Sequence, residues 1–297
     1  MSFQVPVLFC VFNRPDLTER VFSAIARQQP RHLLIAGDGP RDGVADDGDK
    51  VRRTRQIIER IDWPCQLETR LAASNVGCRR HMAESISWAF ELHEQVIILE
   101  DDCLPDPSFF GFCESLLQRY EDDPRIMMIS GDNFQPQPRS AFSYYFSKYS
   151  HIWGWASWRR AWQHYDLNMS DWPDQKRRGL LDAWCCCDQE HAYWTDIFDR
   201  QHAGEIDTWD YSWAWACWAH SGLAVLPESN LVTNIGFRAD GTHTIDPASR
   251  FANRPTAGVE QIRHPSVVAR DLCADEHTWQ NVFAPPSPAD KDRRRAA

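Results

Sequence analysis

The chain has 297 residues, of which 43% are hydrophobic and 25% charged, and its formal net charge is −10. That size and balance fit one large globular domain or two small ones with an extensive core. The acidic excess argues against a nucleic-acid-binding surface, which needs clustered positive charge, but leaves room for a phosphate ligand met by a few arginines and a metal. Ten cysteines without an export signal read as reduced thiols of a cytoplasmic protein rather than a disulfide framework. Cys185-Cys186-Cys187 has no Cys-x-x-Cys partner that would make it a metal site. The apolar run 5–12 is too short to span a membrane and lacks the basic flank of a signal peptide. No integral membrane segment is expected, which leaves peripheral association with a membrane open.

Residues 5–12 are the first expected strand, broken by Asn13-Arg14-Pro15-Asp16. Pro15 suits the first turn of a helix, and Leu17, Val21, Ala24 and Ile25 share its apolar side to about residue 27. Residues 32–36 form a second strand, closed by the strong turn signal Gly37-Asp38-Gly39-Pro40. An acidic, glycine-bearing loop (42–49), a helix (51–61), a strand (66–71) and a helix (78–93) follow. Next comes Gln95-Val96-Ile97-Ile98-Leu99, which ends in three consecutive carboxylates, Glu100-Asp101-Asp102, then a Pro-x-Pro turn and the helical run 108–120. Regular alternation of strand and helix predicts an α/β fold with a mostly parallel sheet wrapped by helices. In such sheets ligands bind outside the carboxyl ends of the strands. Those ends carry Asn13-Arg14, Asp38, Ser74-Asn75 and the acidic triplet.

The second half reads differently. A strand at 126–130 precedes irregular chain to 139, and 11 of the 14 tryptophans fall between Trp153 and Trp218. Such a segment can be core, or a face that stacks on sugar rings. A helix start at 207–210, strands at 223–226 and 231–235, and a polar loop at 237–244 follow. Beyond about 265 the apolar signal thins, and 285–297 lacks periodicity and reads as disordered.

Three adjacent carboxylates repel one another unless a cation or solvent intervenes, and hard divalent cations choose oxygen ligands. Mn2+ or Mg2+ bound through one or two carboxylates plus the substrate's phosphates would suit the triplet, with Asp102 as the most exposed ligand. Arg14 could meet a phosphate, and Asp38 could accept from a base or ribose. His81, beside Arg79 and Arg80, could contact a nucleotide or be solvated. Asp210 is the candidate general base for an acceptor hydroxyl, with helix capping as the competing role. His243 lies on a loop, from which it could reach the metal or a phosphate. Glu228 stays open between orienting an acceptor and closing a turn.

Glu100-Asp101-Asp102 followed by Pro-Asp-Pro-Ser-Phe-Phe resembles the acidic motif of GT-A fold glycosyltransferases, as carried by N-acetylglucosaminyltransferase I. Val11-Phe12-Asn13-Arg14, Asp38, Arg80-His81, Gly154-Trp155, Trp209-Asp210, Pro227-Glu228 and the stretch 236–243 resemble further pieces of that enzyme in the same order. The chain also looks like bacterial family 2-type nucleotide-diphospho-sugar transferases over about residues 3–250. The resemblance implies a GT-A-like, Rossmann-like central sheet flanked by helices, with a smaller acceptor-side subregion. It divides the chain into a nucleotide-sugar-binding half (1–130), an acceptor-binding and catalytic half (131–264) and a C-terminal extension (265–297). It places Phe12, Arg14, Asp38, His81, Glu100 and Asp101 on the donor, Asp102 on the metal and Asp210 as base. Because one aspartate rather than two follows Trp209, Asp207 is the reserve base. The implied activity is metal-dependent, inverting transfer of a sugar from UDP or a related nucleotide to a carbohydrate acceptor in cell-surface glycan synthesis. A sugar-nucleotide pyrophosphorylase and a non-catalytic carbohydrate-binding protein are the alternatives. The first would want a glycine-rich basic loop after the first strand, and Asn13-Arg14-Pro15 is a poor version of it.

Overall fold

The computed structural model describes residues 3–239, 241 and 246–284. The chain alternates β1 (Val7–Val11), α1 (Pro15–Gln28), β2 (His32–Gly37), α2 (Asp47–Ile58), β3 (Gln66–Leu71), α3 (Cys78–Leu92) and β4 (Gln95–Glu100). After these come β5 (Cys103–Pro105), α4 (Pro107–Arg119), β6 (Ile126–Ser130), β7 (Tyr144–Ser147) and β8 (Trp155–Trp158). The second half adds α5 (Arg159–Trp162), α6 (Trp172–Arg177), α7 (Asp188–His202), α8 (Asp210–Ala219), β9 (Leu223–Pro227), β10 (Val232–Asn234) and α9 (Leu272–Thr278). Eight strands form one sheet in the order β3-β2-β1-β4-β8-β6-β9-β7. The first four are mutually parallel, as crossover helices require; β8 runs antiparallel to both β4 and β6, and β7 antiparallel to β9. The α/β class expected from the alternation is the class found, with a mostly parallel sheet between helices.

Register sets up the site. Val11 pairs with Gly37, Cys10 with Glu100 and Gly37 with Leu71, so the carboxyl ends of β1, β2, β3 and β4 lie side by side. Alternation along the strands divides the core in two. Val7, Phe9, Val11, Leu33, Ile35, Ile97 and Leu99 face α1 and the phenylalanines of α4. Leu8, Cys10, Leu34, Ala36, Val96 and Ile98 face α3 and the tryptophan-rich segment.

Of the 11 tryptophans in that segment, all but Trp153 are buried. The segment is therefore core rather than a sugar-stacking face. It can be buried because several indole N–H groups find acceptors: Trp218 donates to the Lys148 carbonyl (2.7 Å), Trp215 to Asp171 (2.8 Å), Trp172 to Asp199 (2.9 Å) and Trp162 to Ser87 (3.0 Å). α8 carries apolar residues all round, as a helix enclosed by other elements does.

Several elements escaped the sequence reading. α2 begins at Asp47, four residues early, because Asp47 and Asp49 suit the positive end of a helix. The residues leading into the Pro-x-Pro turn form β5, which exists only because β10 pairs with it. β7 lies just before the tryptophan-rich segment, and β8 and α7 were hidden within it. Past residue 265, where the apolar signal thins, α9 is capped by Asp271 and seats Ala274 and Trp279 in the core. The expected disorder of 285–297 lies outside the described residues.

Candidate active site

A cavity of about 590 Å3 opens at the carboxyl ends of β1, β2 and β4. The β1 end contributes Phe12 and Arg14, β2 contributes Asp38, the start of α3 contributes Cys78 and His81, and β4 contributes Glu100, Asp101 and Asp102. The opposite wall comes from the second half: Ile152, Trp153, residues 206–211 and Asn234. Each candidate donor or base residue named from sequence, Asp207 and Asp210 included, lines this one cavity. His243 lies outside the described residues. Glu228 is not part of the wall: its carboxylate accepts from the Arg139 amide (2.7 Å) and the Ser140 hydroxyl (2.7 Å), which ties the loop at 139–140 to the end of β9.

The acidic triplet has an internal counterion. Arg14 donates Nη1 to Asp102 Oδ2 (2.9 Å) and Nη2 to Asp101 Oδ1, and the Phe12 amide lies 3.4 Å from Asp101 Oδ2. One arginine does not balance three carboxylates. Burial, then the charge of Asp102, pushes the Glu100 carboxyl up to about 8 against the pull of Arg14, with Asp101 and Asp210 adding to the rise. Burial also raises the Asp101 carboxyl, and Arg14 offsets part of the rise. Burial raises the Cys78 thiol, and the charges of Glu100, Asp210, Asp207 and Asp102 raise it further. The cavity therefore carries a negative field that attracts cations.

The second half is laid directly on the triplet. Asn234 pairs with Cys103, the Ile235 amide donates to the Asp102 carbonyl (2.8 Å), and a Cβ on Gly236 would come 2.2 Å from Asp102 Oδ2. Only glycine fits there without displacing the carboxylate. Asp210 stands in the first turn of α8, where the helix dipole favours a negative charge, and its Oδ1 accepts from the Thr208 hydroxyl. Trp209, rather than Asp210, occupies the capping position.

Asp38 is buried, and three of its roughly four acceptor positions are filled by Gly39 N (2.7 Å), Val76 N (3.0 Å) and Asn75 Nδ2 (2.9 Å). It organises the loop before α3 and retains capacity for one further donor. His81 has a buried Nε2 without a partner, and burial lowers its pKa, with Asp38 partly opposing. The imidazole lines the cavity.

Sequence reasoning missed Arg41. Its guanidinium lies 5.2 Å from the Phe12 ring centroid and bonds Asp47 (2.9 and 3.1 Å), whose own carboxyl Arg41 holds down at about 2. The signal was the conspicuous acidic loop after Pro40, which reads as solvated until a base is seen to fold onto it.

No group of three His, Cys, Asp or Glu side chains converges as a metal cage among the described residues. The donors present are carboxylate oxygens, the type magnesium and manganese take, and Asp102 is more exposed than Asp101 (11% against 3% of the side chain). A cation held by one carboxylate and by a ligand's phosphates fits that donor set.

The fold and this site define an α/β protein with a polar, acid-rich cavity at the carboxyl edge of its parallel strands. No protein-family model matches the chain, and no curated protein matches it. Among solved structures, it is similar to a UDP-glucose pyrophosphorylase complexed with UDP-glucose, at 11% identity and TM-score 0.25, covering 45% of this chain and 65% of that one. It is also similar to the galactosyltransferase LgtC in complex with donor and acceptor sugar analogs, at 12% identity and TM-score 0.31, covering 59% and 66%. The chain thus spans about two thirds of the length of each, and overlap this loose says nothing about its chemistry.

Proposed function

We propose that the protein is a metal-dependent glycosyltransferase, moving a sugar from UDP or a related nucleotide onto a carbohydrate acceptor with inversion. The observation that carries this reading is the convergence, on one cavity, of the β1, β2 and β4 ends with Asp210 from the second half. In this reading Asp38 and the neutral His81 meet the base, and Arg14 and Arg41 meet the diphosphate. Glu100 and Asp101 lie towards ribose and sugar. Asp102 would hold Mn2+ or Mg2+, with His243 as a second candidate ligand. Such an ion, when bound, would neutralise charge on the departing diphosphate.

Asp210 takes the proton from the acceptor hydroxyl as its oxygen bonds the anomeric carbon and the bond to the diphosphate breaks. Asp207 is the reserve base. The acceptor belongs to a growing cell-surface glycan on the cytoplasmic side. The residues around Trp153 would shape the acceptor side and keep water from the donor; the loop 237–244, expected from sequence to close over the donor, lies partly outside the described residues.

Calorimetric titration of UDP, with manganese and with chelator, tests the donor site. Metal-dependent binding that Asp102→Asn weakens by about tenfold or more is expected, and absence of binding in both conditions sinks the UDP reading. Screening sugar nucleotides against mixed glycan acceptors should give transfer that Asp210→Asn slows by about 10²–10⁴-fold while UDP binding persists. Formation of UTP from a UDP-sugar and pyrophosphate would instead establish a pyrophosphorylase. That outcome is disfavoured by the direct entry of Asn13-Arg14 into α1, which leaves no glycine-rich loop.

A further inference from the structure

The two edges of the main sheet are treated differently. At one end β7 is covered: Phe146 bridges Arg270, and the Asp271 amide donates to the Phe146 carbonyl (2.8 Å). At the other end β3 pairs only with β2 among the described residues, which leaves its outer edge bare. Five of its six residues are exposed, and Leu67 and Leu71 stand 42% and 43% open to solvent. A bare strand edge is a template for another strand, and its charges decide which strands it accepts.

We infer that β3 pairs antiparallel with β3 of a second copy of this chain, centred on Thr69. The inward backbone groups are already used: the Gln66 amide donates to Arg31 (2.8 Å) and the Ala72 amide to Gly37 (2.9 Å), both towards β2. With a strand period of two, the even-numbered residues face β2, and the N–H and C=O groups of Leu67, Thr69 and Leu71 face outward. An antiparallel two-fold centred on an outward-facing residue makes hydrogen-bonded pairs of Thr69 with Thr69 and Leu67 with Leu71.

The same register sets Glu68 opposite Arg70 on both sides of the axis, so the pattern Leu-Glu-Thr-Arg-Leu is complementary to its own reverse. The exposed leucines meet across the two strands on one face while the opposite charges meet on the other. Any register displaced by two residues loses this match, so the charges that repel other edges select a copy of themselves. Arg70 already bonds Glu84 (2.8 Å), and the partner's Glu68 would join that pair as a network. This inference is independent of the chemistry of the cavity.

Sedimentation velocity and light scattering across micromolar concentrations test it. The full chain should dimerise. Glu68→Arg alone and Arg70→Glu alone, which each oppose like charges, should give monomers, and the double exchange Glu68→Arg/Arg70→Glu should restore the dimer. Thr69→Pro removes an outward N–H and no bond to β2, a placement edge strands tolerate. It should leave the thermal melt cooperative and the protein monomeric. Amide protection at Leu67, Thr69 and Leu71 should rise with concentration. A native chain that stays monomeric, or a dimer that survives both single reversals and Thr69→Pro, overturns the inference.

Discussion

Two of the buried charge clusters among the described residues are built on opposite plans. In the second half, the Lys148 ammonium and the Glu190 carboxylate are fully enclosed and matched one to one. Lys148 also donates to the Trp184 carbonyl (2.7 Å) and lies over the Tyr149 and Trp218 rings, while Glu190 accepts from the Tyr149 hydroxyl and the Cys186 amide (2.7 Å). At the cavity, three carboxylates share one arginine. The consequence shows in two residues of the same type. Burial opposes the charge of Glu190, yet its donors win and its pKa falls; burial and neighbouring carboxylates win at Glu100, which rises to about 8. A satisfied buried pair holds structure, whereas an unsatisfied cluster at a cavity stores a demand for a ligand.

The largest expected effect comes from breaking the satisfied pair. Lys148→Met strands Glu190 and should cost about 3–5 kcal/mol in denaturant unfolding, and Lys148→Met/Glu190→Leu should recover much of that loss. Neither change should alter UDP affinity per folded molecule.

The cavity should behave in the opposite sense. Asp102→Asn removes the foremost charge raising Glu100, so the Glu100 pKa should drop, as read by NMR titration, with little loss of stability. Metal-dependent UDP affinity should fall by about tenfold or more, equivalent to about 1.4 kcal/mol.

A third prediction concerns pH. The folded protein binds the Glu100 proton more tightly than the unfolded chain does, so this residue's contribution to stability is complete below pH 4.5 and is lost as pH rises through about 8. Glu100→Gln should flatten that slope and gain about 1–2 kcal/mol at pH 8, read from melts across pH 5–8.

The smallest effect belongs to a buried group that avoids charge altogether. His151 packs edge-on against the Phe134 ring (4.6 Å between centroids) and lies beside the stacked Tyr149 and Phe283 rings, and burial alone lowers its pKa to about 3. Its contribution is present above pH 6.5 and fades as pH falls towards 3. His151→Phe keeps the stacking and should raise melting temperature at pH 5, with a change below about 1 kcal/mol at pH 8.

Legibility followed the range of the interactions involved. β3 was read to the residue and β1 to within two, because strand period and turn chemistry are local signals. Most of the cavity's polar residues could also be nominated, since they stand where β1, β2 and β4 end. Arg41 was not, because its role depends on Asp47 folding back onto it. β5 was invisible because Cys103–Pro105 is a strand only when β10 returns to pair with it. The tryptophans could not be sorted between core and sugar-binding face, because the answer lies in distant acceptors such as the Lys148 carbonyl.

By itself, then, the sequence determined the alternating α/β architecture and the acidic end of β4, through periodicities that each segment carries alone. Only the tertiary structure decided that one arginine answers three carboxylates and that Asp210 shares their cavity. It also buried the aromatic segment and left β3 bare while β7 was covered. Those outcomes depend on which remote groups meet, and burial then turns each meeting into a stabilised or a frustrated charge.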